Sequence, residues 1–557
     1  MSKTRKQPKL RVNGTKPKAD ASKRSTSPVK TPATTEPPQA DRDAAQRPAT
    51  GSAIVAPQQV SPRVSPPVPV QRQTSQRPEF APRPMAATPA PGNAPSLIAA
   101  RYLDEPLLAF CGGRDVTPRS GIATFGPYTL GQPGRHPKTA RIGILGTAES
   151  IDAARKWILN GAKGVDGGNV CASFPGCSRE VGYFVDLIFD EAWNAKMTRH
   201  ELNQVLEIAD PCTRFEAATK LLEGKLEWFA SLDRPPEYVV LALPDDLVAK
   251  CAVADYLDGK RMIHRDLRLA IKATAMRYRM TTQILLGKTI RGGKGVDHQA
   301  ECAWNFFTTL YFKLGAVPWS AVGLAPDTCY IGISFYRPLG TTTHMQASLA
   351  QVFNSAGDAL VIRGEEFPWS PSRQEKSPHL DAEQAKRLID AVLNRYRVET
   401  QGKTPQRVVI HKSSRFWDDE ANGFRAALTG VREFDLVSVA ANRDIRLLRQ
   451  GNYPVLRGTH FTVGDIDFLY TSGFIHALDE FPHGHVPSPL RLADHRSGDT
   501  PVDELLREIM ILTKLNWNSS DFCARDPITL ASAREVAEVL REVGASQEPL
   551  AQYKYYV

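Results

Sequence analysis

From about residue 97 onward, apolar runs of strand length alternate with segments whose apolar residues recur every three or four positions. Arg141-Ile-Gly-Ile-Leu-Gly146 and Tyr238-Val-Val-Leu-Ala-Leu243 are short continuous apolar runs, as strands buried on both faces require. The first leads into a helix from about Ser150, and Pro244 ends the second. In His264–Met276, Leu267, Ile271 and Ala275 form one helical stripe, while Arg268 and Lys272, four apart, share the adjacent face. A short apolar strand over Met280–Leu286 carries Gln283 near its start. The next helix, Glu301–Gly315, turns Trp304, Phe307, Tyr311 and Leu314 to one side and Asn305, Thr309 and Lys313 to another. Gly315 and Pro318 terminate it.

Beyond Asp327 the pattern predicts strands at Tyr330–Phe335, Ala359–Arg363, Arg407–His411, Leu436–Val439, Tyr453–Leu456 and Phe468–Tyr470. It predicts helices at Asp381–Arg395, Glu420–Leu428, Val502–Thr513 and Leu530–Val543. Alternation of this kind implies α/β layers. Four segments follow: a tail over 1–96, an extended lead-in over 97–135, a first α/β domain over 136–324 and a second over 325–557.

Composition changes the picture for the tail alone. It holds 18 of the 42 prolines and 16 Lys+Arg against 5 Asp+Glu, with few aromatics. Such a segment cannot bury enough apolar area to offset its ordering entropy, which predicts disorder. The remaining residues carry 54 basic and 55 acidic side chains, so the pI of about 9.1 belongs to the tail. Polyanion binding by the folded part therefore has to come from a local site, with the tail basics as salt-sensitive additions. There is no signal-peptide pattern and no apolar span of membrane length. The eight cysteines make no CxxC pair, so the reading is cytoplasmic, reduced and zinc-free. Gly287-Lys-Thr289 lacks the upstream glycine of a P-loop, and Gly161–Gly168 follows a helix rather than a strand.

Arg268 with Lys272, Gln283, and the Asn305, Thr309, Lys313 face form a set suited to a terminal phosphate. The cations supply strength, and the amide and hydroxyl donors supply orientation. The order of Arg268, Lys272, Gln283 and Lys313, together with Phe312-Lys-Leu-Gly315 and Asn305, resembles the MID domain of Argonaute proteins, where the matching residues grip the 5′-phosphate of a guide. Many members have Tyr or His at the position of Arg268. The fold this implies is a Rossmann-like MID domain followed by an RNase H-like PIWI domain.

The PIWI resemblance places the family's metal-binding acids at Ser334, after Ile331-Gly-Ile333, at Ser413, after Arg407–His411, and near Lys514. Glu365 or Glu366 would be the mobile-loop acid. Hydroxyls and an ammonium cannot replace the carboxylates that hold two divalent ions, so a catalytically inactive PIWI domain is expected. Asp418, Asp419 and Glu420 are the alternative acids, although acids are ordinary at a helix start. By the same resemblance, the Val557 carboxylate and Gln283 would hold a Mg²⁺ beside the guide phosphate.

Only some forty residues separate the tail from the first α/β strand, so the resemblance is to short prokaryotic Argonautes. It implies a small guide RNA, recognition of target DNA without cutting, and a second polypeptide. That partner would join a PAZ-like analogue domain to a sirtuin-like or TIR NADase, or a nuclease, in antiviral defence. Two rivals stand beside this reading: an active guide-dependent nuclease with displaced acids, and an unrelated two-domain α/β enzyme.

Overall fold

The computed structural model describes residues 98–258, 261–339, 344–353, 359–369, 377–481, 486–497, 500–544 and 547–557. The tail over 1–96, and its predicted disorder, lie outside the described residues. Everything below concerns the unit Pro91–Val557.

The lead-in comprises β1 (Ala100–Tyr102), β2 (Leu108–Ala109), β3 (Arg114–Asp115) and a helix, α1 (Pro118–Phe125). It is therefore not extended throughout. Thr117 caps α1 by accepting from the Ser120 amide, and a proline opens its first turn, both of which favour helix initiation.

The first α/β layer contains β4 (Thr139–Gly146), α2 (Ala148–Ala162), β5 (Asp186–Lys196), α3 (Arg199–Leu206), α4 (Pro211–Ala230), β6 (Tyr238–Ala242) and α5 (Asp245–Cys251). A hairpin follows, β7 (Val253–Asp258) with β8 (Arg261–Asp266). Then come α6 (Leu267–Arg277), β9 (Thr281–Ile284), α7 (Gly287–Arg291), α8 (Gln299–Lys313) and β10 (Ser320–Ala321). Its parallel sheet runs β5-β4-β6-β9. The chain leaves β4 for one side and later continues on the other. The carboxyl ends of β4, β6 and β9 thus border a crevice, the usual ligand place in such sheets.

The second layer contains β11 (Thr328–Tyr336), β12 (His344–Phe353), β13 (Ala359–Leu360), β14 (Arg363–Pro368), α9 (Ala382–Glu399), β15 (Arg407–Lys412), α10 (Asp418–Ala427) and β16 (Glu433–Ala441). It ends with β17 (Thr459–Val463), β18 (Ile466–Leu469), β19 (Leu490–Ser497), α11 (Val502–Leu512) and α12 (Ile528–Glu542). Among the described residues, β1 joins these strands in one sheet of order β1-β17-β18-β19-β16-β15-β11-β12-β13, with β14 also on β12. β11, β15 and β16 are mutually parallel, and β12 is antiparallel to β11. Starting from β11, the order three-two-one-four-five with an antiparallel second strand is that of an RNase H-like core.

Two strand expectations need correction, and some strands escape the pattern. Ala359–Arg363 divides into β13 and the start of β14. Tyr453–Leu456 forms no strand: it makes only an isolated bridge, Leu456 to Phe474, and the β17 ladder starts after Gly458 turns the chain at φ 89°. The β7–β8 hairpin and β5 were not predicted: they carry polar and exposed residues, with Leu257 and Val253 open to solvent, and lack a core-facing apolar run.

One apolar cluster runs from the lead-in through α8, β11, β15 and α12 to Val557, joining both layers, while a second fills the other face of the first sheet.

Candidate functional site

Asp266 caps α6, its carboxylate accepting from the Arg268 amide at 2.7 Å. This start sets Arg268 and Lys272 one turn apart at the carboxyl edge of the first sheet. Lys313, the last residue of α8, is only 2% exposed. Its Nζ donates to the Thr282 carbonyl at 2.8 Å and to Gln283 Oε1 at 2.9 Å, fastening α8 to β9. Arg268, Lys272 and Gln283 line one cavity of about 300 Å³, with Asn518, Val557 and apolar neighbours such as Leu243 and Ile271. Lys272 Nζ donates to the Tyr556 carbonyl at 3.0 Å, drawing the end of the described chain into the same place.

Of the charged side chains that line the cavity, Arg268 and Lys272 stand against one carboxylate, Asp266. Burial, then Arg268, pushes the Lys272 ammonium down to about 8, against weaker pulls from Glu535, Asp266 and Glu538. Burial, then Lys272 and Arg268, drives Lys313 well below the ordinary lysine range. A pocket whose ammonium groups destabilise one another gains most from acquiring an anion.

Lys313, which sits behind Gln283, and Asn305 and Thr309 are not in the cavity lining. Asn305 Oδ1 accepts from the Ser520 amide at 3.0 Å, and Thr309 Oγ1 donates to the Asn518 carbonyl at 3.1 Å. They hold the 516–521 loop, from which Asn518 reaches the cavity. Sequence reasoning missed Asn518: it is remote along the chain, and no spacing links it to α6.

Ser334 and Ser413 follow Ile333 and Lys412, which are paired in the parallel register of β11 and β15, so Ser334 within β11 and Ser413 just past the end of β15 lie on neighbouring strands. Lys514 is not brought beside them. Its Nζ donates to Glu105 Oε1 at 2.9 Å and to the Val116 carbonyl at 2.6 Å, and lies 4.0 Å from the Phe522 ring centre. The cavity lined by Ser334, about 370 Å³, is instead completed by Arg337 and by Arg534, Glu538 and Arg541 of α12.

The other candidate acids have partners of their own. Glu365 pairs with Arg387 at 2.8 Å, and Glu366 lies on β14 opposite Gln346. Asp418 pairs with Arg496 at 2.7 Å, while Asp419 is exposed. Glu420 is fully buried in an ion pair with Lys412, whose Nζ also meets His379 Nδ1 at 3.1 Å. Burial alone would raise the Glu420 carboxyl, but His379 and Lys412 hold it below its ordinary value.

No protein-family model matches the chain, and no curated protein does. Solved structures do. It is similar to the Clostridium butyricum Argonaute bound to a guide DNA and a 19-mer target DNA, at 14% identity and a TM-score of 0.57. That alignment covers 80% of this chain and 53% of the other. It is also similar to Aa-Ago with externally bound siRNA, at 14% identity and a TM-score of 0.52, over 82% of this chain and 56% of the other. The chain thus has an Argonaute-like fold, with a MID-like layer followed by a PIWI-like layer, and spans about half the length of those solved chains.

Proposed function

We propose that this protein holds a guide nucleic acid by its 5′-phosphate in the cavity of Arg268, Lys272 and Gln283, with Lys313 behind them. The observation that carries this reading is the convergence of the Lys272 ammonium and the Arg268 guanidinium on one cavity, with the buried Lys313 ammonium behind Gln283, in a fold otherwise found with guide and target bound. A phosphate dianion would accept from Lys272 and Arg268 and relieve their mutual repulsion. Asn305 and Thr309 act from behind, by positioning Asn518.

The resemblance to short prokaryotic Argonautes extends the proposal: a small guide RNA, complementary target DNA, and a partner polypeptide whose effector is released by target recognition. Base pairing would supply the specificity, and the protein would read the guide end and the backbone. Recognition without cutting is part of the same reading. Ser334 and Ser413 present hydroxyls where two divalent ions would need carboxylates, and Arg337 and Arg534 line the Ser334 cavity. Those residues do not fit a two-metal centre.

A single Mg²⁺ at the guide end is a different case. Gln283 Oε1 is an oxygen donor in the cavity, although it already accepts from Lys313, and Val557 lines the same wall. With phosphate oxygens added, Gln283 and a Val557 carboxylate would hold the ion, which would screen the phosphate from that carboxylate.

Competition between 5′-phosphorylated and 5′-hydroxyl oligonucleotides tests the reading. The parent protein should prefer the phosphate, and Arg268→Ala with Lys272→Ala should remove about tenfold or more of affinity for that form alone. Equal loss for both forms would contradict a phosphate pocket. Guide-dependent target cleavage in Mg²⁺ or Mn²⁺ would overturn the non-cutting part.

A further inference from the structure

At the position where the resemblance implies a metal-binding acid, the chain has assembled cations. Ser334 lines a cavity of about 370 Å³ with Arg337 from the end of its own strand and Arg534, Glu538 and Arg541 from α12. The last three stand four and three residues apart, so they share one face of α12. The cavity lining therefore holds three guanidinium groups against one carboxylate.

The surroundings fix this arrangement. Gly332 lies so close to α12 that a Cβ there would come within 2.0 Å of the Thr529 carbonyl oxygen, so the helix rides directly on β11. Arg541 Nη2 donates to the His264 carbonyl at 2.8 Å, and Arg265 pairs with Glu542 at 2.8 Å, which clamps the β7–β8 hairpin to the same helix. Met262, Ile263 and His264 of that hairpin close the cavity wall. Arg534 is anchored by Asp526 at 2.6 Å, yet remains exposed along the cavity. The hairpin leads directly into α6, so the wall continues into the element that carries Arg268 and Lys272.

A guanidinium binds phosphate oxygens through two parallel donors but does not lower the pKa of a water or stabilise a leaving alkoxide as a divalent ion does. Replacing a carboxylate by Ser334 also removes a charge that would repel a phosphate once no metal intervenes. We propose that Arg337, Arg534 and Arg541 bind one backbone phosphodiester group of the guide–target duplex at Ser334, doing by guanidinium what metal ions would do in a nuclease, without its chemistry. This rests on the guide-holding reading above and deepens it.

The test is a scan of single neutral methylphosphonate linkages, placed one at a time along the guide or along the target, with duplex formation on the protein as readout. One linkage, or two adjacent ones, should lower affinity by about tenfold, as loss of a charge-assisted contact does. In Arg337→Ala with Arg534→Ala that local minimum should vanish, while the preference for a guide 5′-phosphate is kept. The salt dependence of binding should become shallower by roughly one phosphate contact. A minimum in the guide arm would assign the phosphodiester to the guide, and one in the target arm to the target; both support the site. Arg534→Lys controls for folding and should restore part of the minimum. Ser334→Asp should weaken duplex binding in metal-free buffer. A flat scan, or a minimum that survives the double substitution, overturns the proposal although the guide reading stands. Failure to bind any 5′-phosphorylated strand sinks both.

Discussion

Lys272 gives the candidate pocket a pH signature. Its pKa of about 8, against an ordinary 10.5, means that the folded protein holds fewer protons on this group than the unfolded chain between those two values. Its contribution to stability therefore rises with pH through that window, and the burial penalty is fully present below about 8. A bound phosphate reverses the preference by favouring the ammonium form. Above about pH 8, binding has to take up a proton, and affinity for 5′-phosphorylated strands should fall by up to about tenfold per pH unit. Titrations between pH 7 and 9.5 should show that fall, and Lys272→Arg should shift its onset upward. An unchanged profile in the Arg variant would detach Lys272 from the phosphate. The sequence placed Arg268, Lys272, Gln283 and Lys313 in order and on the correct kinds of element. It did not reveal that Lys313 approaches through Gln283 Oε1, because that contact joins residues thirty positions apart.

At the scale of elements, β11 and α12 depend on one missing side chain. The apolar-Gly-apolar run Ile331-Gly-Ile333 reads as a buried strand from sequence, and its glycine looks like a weakness in it. The structure supplies the reason: the Thr529 carbonyl occupies the space of a Cβ. Backbone cannot yield as a flexible side-chain tip can, so Gly332→Ala should force α12 off the sheet. Overpacking of that kind costs about 1–3 kcal/mol, measurable as a lower urea midpoint with unchanged slope. Because α12 carries Arg534 and Arg541, the variant should also lose duplex affinity. Wild-type stability in Gly332→Ala would show that the helix has room to move.

For the whole molecule, the lead-in is part of the fold. β1 pairs with β17, and β2 pairs with β10, so it touches both layers. Glu105 is the ionic centre of this attachment. It meets Arg457 at 3.0 Å and Lys514 at 2.9 Å, and the side chains of both cations are fully buried. Burial would raise the Glu105 carboxyl, but Arg457 and then Lys514 outweigh it and hold it below its ordinary value. Glu105→Ala would leave two buried cations without their carboxylate, a loss of about 3–5 kcal/mol. Chemical denaturation checks this, and a loss below about 1 kcal/mol would mean that water reaches the pair. Lys514, placed by resemblance at a degenerate metal position, is thus engaged in holding the lead-in.

By itself the sequence determined what depends on neighbours along the chain. The α/β alternation, the helical faces of α6 and α8, the buried strands β4, β6, β11 and β15, and the ordered cations of the phosphate set all arise from periodicity and local spacing, and the resemblance arose from their order. Tertiary structure decided what depends on distant backbone coming close. It placed Asn518 in the cavity through Thr309, withdrew Lys514 to Glu105, buried Glu420 against Lys412, and laid Arg534 and Arg541 beside Ser334. Exposed, polar-patterned strands such as β5 and the β7–β8 hairpin also waited for it. Their stability comes from cross-strand pairing and from what they pack against, and a linear pattern of apolar residues carries neither.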